Sequence, residues 1–266
     1  MKVSTSFVQD QRHTTKSQRF SAVQPSHIAA VLDNHGFNLV HLKSATARKQ
    51  DNAAHQTTIA RYRSAEEFKV GGLHMDLVFK VPHLYGSVEA FLGTYRLVCT
   101  NGLVVGSRFF EAPRIRHAAS ALPQLESLIP QLVAKHDELF DTIREMGART
   151  VTPIQVADFV REAARLRLGE NDKIESIDYG DLMRIRRPED NGNDAFTVLN
   201  VVQENLMRFG LQYQMKTVNE AGKTSIRNML ARPVTRTKLG DTESTRSVDL
   251  NASVWDAAAQ ILMKIG

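Results

Sequence analysis

The chain has 266 residues, 42% hydrophobic and 24% charged, with one cysteine and a formal net charge of +5. This is the composition of a soluble globular protein with enough material for a real core. A lone cysteine rules out an internal disulfide framework, the first twenty residues lack the apolar run of a secretory leader, and no run approaches the roughly 18 apolar residues of a membrane span. The expected compartment is a reducing cytoplasm, with no membrane contact.

Residues 1–23 are polar and read as a flexible N-terminal arm. A helix is expected from Pro25, with Ile28, Val31 and Leu32 at helical spacing and Gly36 as its stop. From Phe37 the period changes to two. FNLVHLKSATARK and HQTTIARYRS are strand candidates, and LHMDLVFKVP alternates five apolar residues on one face, Leu73, Met75, Leu77, Phe79 and Val81. VEAFL, TYRLVCT and LVVGSRFF follow as further strand material, with Asn101-Gly102 expected as a tight turn pairing the last two.

After Pro113 the pattern turns helical. Leu125, Leu128, Ile129, Leu132, Leu139 and Ile143 outline a long helix, with Pro130 expected to kink or divide it. Thr152-Pro153 opens a second helix that Gly169 closes. Residues 188–193 form a loop, AFTVLNVVQENLMRFG a third helix, and QYQMKTV with KTSIRNMLA a late hairpin. A final helix is expected from about Asn251, with Trp255, Ala258 and Leu262 on its apolar stripe.

The order of elements argues for an α+β fold: an N-terminal helix, an antiparallel β-meander, then a helical C-terminal half packed on the sheet. The expected division is a basic antiparallel sheet region over 24–117 and a mainly helical region over 118–266, both in one domain. Charge follows the same line. Residues 1–117 carry 15 Lys and Arg against 8 Asp and Glu, whereas the remainder carries 19 against 21. A basic part joined to a balanced part points to a polyanion partner.

Conventional catalytic motifs do not occur. The sequence has no HExxH, CxxC, Walker loop, GxGxxG or GxSxG. His74-Met75-Asp76 places two ligand types on one strand face, which is short of a zinc motif. Cys99 lies in an apolar run with no base fixed beside it, so a buried structural thiol is expected. No cofactor or metal is expected.

Basic residues are instead interleaved with aromatics along the strands. Arg48 and Lys49, Arg61-Tyr62-Arg63, Arg96, Arg108 and Arg114 with Arg116 and His117 form the candidate nucleic-acid-binding set. Single strands are bound by cations that track phosphates and aromatics that stack on bases. Arg61 and Arg63 share a strand face about 7 Å apart. Tyr62 is the stacking candidate. Arg161, Arg165, Arg167, Arg184, Arg186 and Arg187 make a second basic set.

Residues 74–120 carry a resemblance. Arg96, Val98, Cys99, Thr100, Asn101 and Gly102, followed by Ile115, Arg116 and His117, resemble the signature of a phage/plasmid-like family of unknown function encoded by prophages and plasmids. The family usually has a small hydroxyl after the Arg-His pair, where this chain has Ala118. The resemblance implies a phage or mobile-element protein and brings no catalytic residues. The element order is also distantly similar to ring-forming single-strand annealing proteins.

The expected function is thus DNA binding without catalysis, with single-stranded DNA as partner, in replication or recombination, and with a homo-oligomer as one form. The alternatives are a thiol- or metal-dependent hydrolase centred on Cys99 and His117, and a non-catalytic assembly or virion-associated protein.

Overall fold

A computed structural model describes residues 20–23, 25–44, 56–65, 73–82, 86–96, 101–104, 114–218, 222–234 and 245–264. The chain divides into two compact units, Met1–Phe140 and Asp141–Gly266. The architecture is α+β.

The first unit opens with α1 (Pro25–Asp33). Proline is tolerated in a first helical turn because its missing N–H has no intrahelical partner there. Ile28 and Leu32, four residues apart, are fully buried, and Gly36 turns the chain out of the helix at φ +73°. An antiparallel meander follows in the order β1 (Phe37–Ser44), β2 (Thr58–Ser64), β3 (Leu73–Val81), β4 (Val88–Arg96) and β5 (Asn101–Val104). The short β6 (Arg114–Ile115) pairs with β4.

One face of this sheet is apolar. The register aligns Tyr62 with Leu77 and Leu77 with Leu92, and Ala60 with Phe79 and Phe79 with Ala90. All six are buried. Helix α1 packs on β1 and β2, where the Tyr62 hydroxyl donates to the Pro25 carbonyl at 2.9 Å. Tyr62 and Phe79 meet edge to face, with centroids 5.9 Å apart, the arrangement the ring quadrupoles favour.

Asn101-Gly102 departs from expectation. Arg96 pairs with Asn101 and Tyr95 with Gly102, so the dipeptide lies inside β5 and not in the turn. Cys99 and its neighbours 97–100 lie outside the described residues. The two strands do pair, as expected, but the strand partners of Asn101 and Gly102 overrode their local turn preference.

Helices α2 (Ala121–Ala134) and α3 (His136–Ala148) replace the single interrupted helix expected. Pro130 does not divide it: the proline lies within α2, and the break falls at Lys135, whose N–H bonds to the Leu132 carbonyl. Acidic Asp137 and Glu138 then occupy the first turn of α3, where the helix dipole favours them.

In the second unit α4 (Pro153–Leu168) starts as the sequence indicates. Thr152 Oγ1 accepts from the Gln155 N–H and the Gln155 side chain accepts from the Thr152 N–H, a complete capping box. Helix α5 (Ala195–Glu204) runs into a π-helical turn, Asn205–Phe209. Helix α6 (Thr245–Ile261) begins six residues before the expected start. Helices α4, α5 and α6 pack together around Phe159, Leu199, Val202 and Trp255.

The C-terminal part is less helical than expected. The late hairpin is present as β8 (Leu211–Val218) and β9 (Thr224–Ala231), and β7 (Ile174–Ile177) adds a third antiparallel strand. Four residues, two of them polar, carry too little periodicity to announce β7. Gly210 joins the π turn to β8 at φ +83°, and a Cβ there would lie 2.2 Å from the Ala231 carbonyl oxygen. Only glycine fits.

Candidate nucleic-acid interface

The other face of the meander is mixed, with charged side chains set around Ile59 and Val78, which are buried. Its register produces a continuous row across five strands: Lys43 opposite Ile59, Ile59 opposite Lys80, Lys80 opposite Glu89, and Glu89 opposite Arg114. Glu89 lies between two cations, 3.4 Å from Lys80 Nζ and 3.4 Å from Arg114 Nε. Strands are spaced about 4.8 Å, so the lysines and Arg114, two strands apart, repeat at about 10 Å.

One step along the strands, Arg61 stands between His41 and Val78. A further step brings Arg63 opposite Asp76. The Asp76 carboxylate is fully buried and holds both arginines. Arg61 Nη1 donates to Oδ2 at 2.8 Å, and Arg63 donates through Nε to Oδ1 at 2.9 Å and through Nη2 to Oδ2 at 3.1 Å. The described part of this face therefore carries five cations, Lys43, Arg61, Arg63, Lys80 and Arg114, against two carboxylates.

The expected contact residues take different places. Arg63 is partly exposed on this face and Arg114 is 77% exposed; Arg116 is exposed just beyond β6. Arg61 is on the same face but buried, and its charge is spent on Asp76. Tyr62 is a correction. It lies on the apolar face, 1% exposed, with burial raising its phenol well above the ordinary range, so its ring is closed to a stacking base. Alternation along β2 puts it opposite in direction to its arginine neighbours. Of Arg96 only the backbone pairing is described, and Arg48, Lys49 and Arg108 lie outside the described residues. The sequence reading missed Lys43 and Lys80, whose membership depends on cross-strand register.

His117 has a different role. It is 8% exposed. Its Nδ1 accepts from the Val23 N–H at 3.0 Å, its carbonyl accepts from the Ser21 N–H, and its ring lies 5.2 Å from Phe20. These bonds tie residues 20–23 to the start of α2. With Nδ1 accepting, the ring proton lies on Nε2.

Asp76 does not pair with His74 as a metal ligand set, because the arginines occupy both of its oxygens. Among the described residues no group of three or more His, Cys, Asp or Glu side chains is placed to hold a metal ion. No described helix is long and apolar enough to cross a membrane.

A family model described as "Domain of unknown function (DUF932)" matches residues 12–255. The chain belongs to this family. That agrees with the resemblance in Arg96–Gly102 and Ile115–His117 to a family without an assigned activity. Two relatives from Escherichia coli (strain K12), UPF0380 protein YafZ and UPF0380 protein YfjQ, are each 23% identical over 212 residues, covering 79% of this chain and 76% of their own. No solved structure matches the chain.

Proposed function

We propose that this protein binds single-stranded DNA without catalysing a reaction, as a phage or mobile-element protein acting in replication or recombination. The supporting observation is the cross-strand row Lys43–Lys80–Arg114, on the same face as Arg63. A sheet face with cations about 10 Å apart offers an extended polyanion several separate contacts to its backbone. Glu89 holds Lys80 and Arg114 in place while they remain in reach of solvent.

The test is a fluorescence-anisotropy titration of a labelled oligo(dT) at 50 and 200 mM salt. Binding should weaken by at least about tenfold across that range, because each neutralised phosphate releases a counterion. Lys80→Ala with Arg114→Ala should reduce the slope of log affinity against log salt by about 1 to 2. No binding to any single strand at low salt overturns the reading.

The hydrolase alternative gains nothing from His117, whose Nδ1 is engaged by a backbone amide. The assembly alternative has one observation in favour. Strand β9 is an edge of its sheet, and Ile226 and Leu230 on it are 56% and 54% exposed, which favours strand-edge pairing between copies. Light scattering with and without oligo(dT) separates the two, since assembly alone is indifferent to DNA.

A further inference from the structure

The C-terminal unit carries a built cationic and aromatic cluster around the π-helical turn. Glu204, Asn205 and Asp190 are buried, at 4%, 1% and 3% exposure, and they hold arginines from beneath. Arg187 donates to Asp190 at 2.7 Å and also to Glu204, and Arg208 donates to Glu204 at 3.2 Å. Asn205 Nδ2 donates to the carbonyls of Leu182 and Arg184 at 3.1 and 2.9 Å, fixing the extended segment that carries Arg184, Ile185 and Arg186. Asn205 Oδ1 accepts from Arg186 Nε at 2.6 Å.

The Arg186 guanidinium lies 3.4 Å over the Phe209 ring. Arg186 is exposed, and Phe209 is 42% exposed. Desolvation, and after it the charge of exposed Arg184 nearby, lowers the basicity of Arg186. Burying three polar groups to hold this arrangement is costly unless the arginines stay satisfied. For fold stability alone apolar residues would serve as well. A π turn inserts one residue into the helix, and such turns concentrate at functional sites. Here the turn begins at Asn205 and ends at Phe209, so it sets the two groups that grip Arg186.

We infer that the Arg186–Phe209 stack, flanked by Arg184 and Arg208, is a base-stacking and phosphate-binding contact for single-stranded nucleic acid. A guanidinium lying flat on an aromatic ring offers its outer face to a base, since bases stack on arginine planes as they do on rings. Arg184 and Arg208 supply charge for the phosphates on either side. Neighbouring Ile185 and Met183, 52% and 37% exposed, offer apolar surface to the sugar and base. This assignment rests on the single-strand-binding reading above and adds a contact that does not involve the sheet face.

The experiment uses the full chain, oligo(dT) and an abasic strand of the same length, which keeps phosphates and lacks bases. Arg186→Lys preserves the charge and removes the planar stack. It should weaken oligo(dT) binding at least about fivefold and leave abasic binding nearly unchanged. Phe209→Ala should do the same, while Arg184→Ala should weaken both ligands alike. A thermal melt of each variant checks the fold, and Arg184→Ala, an exposed change, keeps the test valid if Phe209→Ala fails to fold. Wild-type binding that none of these changes weakens overturns this inference and leaves the sheet-face reading standing. Absence of wild-type binding overturns both.

Discussion

Arg61 and Asp76 are diagonal neighbours across β2 and β3, joined at 2.8 Å with side chains only 4% and 0% exposed. The direct partner of Asp76 on the ladder is Arg63, which adds two further bonds. Removing one side of a buried pair leaves an uncompensated charge, which costs about 3–5 kcal/mol. Asp76→Asn removes the buried negative charge that both arginines share, whereas Arg61→Met leaves Asp76 with Arg63. Urea denaturation should therefore place Asp76→Asn well below Arg61→Met in stability. Equal losses would mean that the carboxylate does not organise this face.

Tyr62 provides an alkaline test. Burial raises its phenol above the ordinary value of 10.0, so the folded protein keeps a proton that the unfolded chain gives up. Stability from this group is complete below about pH 10 and is lost as pH rises above it. Tyr62→Phe also removes the hydrogen bond to Pro25, a loss of about 1 kcal/mol at neutral pH. The variant should thus be less stable at pH 7 and should lose less on going from pH 9 to pH 11. Parallel losses in both proteins would contradict the burial of the phenol.

The fold was legible wherever a period ran long. The five-fold alternation of Leu73–Val81, the Thr152-Pro153 start and the α1 stripe all sit where the sequence indicates. Elements decided by tertiary partners were not legible. Asn101-Gly102 reads as a turn, yet pairs with Arg96 and Tyr95 in a ladder. The site was legible in half. Alternation places Arg61 and Arg63 together, but the same alternation turns Tyr62, the expected stacking residue, into the core. Lys80 and Glu89 become neighbours only through register, which no local pattern encodes.

His117 fastens residues 20–23 through the Val23 amide and the Phe20 ring. His117→Ala should free the Val23 N–H and speed its hydrogen exchange by about tenfold or more, with little effect on amides in β2 and β3. His117→Asn, which retains an acceptor, should restore part of the protection. Unchanged Val23 exchange in the alanine variant would rule out the fastening role.

Thr152 caps α4 with reciprocal bonds to Gln155. Loss of such a cap costs about 1 kcal/mol. Thr152→Ala should lower the stability of the C-terminal unit by that amount, and Thr152→Ser should retain most of it. A thermal melt with loss in both variants would point to the threonine methyl and not to the hydroxyl.

Glu162 lies one helical turn before Arg165 on α4, and Arg165 donates to both of its oxygens at 2.7 Å. The hydrogen bonds from Arg165 lower the Glu162 pKa, outweighing its partial burial. A lowered carboxylate pKa means that the folded form gives up its proton more readily than the unfolded chain. The resulting stability is present above the ordinary glutamate value and fades as pH falls through the folded one. The pair is partly exposed, so solvent and salt screen it and its effect on global stability is small. The sensitive measurement is therefore the titration itself. Carboxyl NMR of Glu162 should show a midpoint below that of a free glutamate, and Arg165→Met should move it upward. High salt should reduce the Coulombic part of the difference while the hydrogen-bonded part persists. A midpoint that Arg165→Met leaves unmoved would show that the two side chains do not meet in solution.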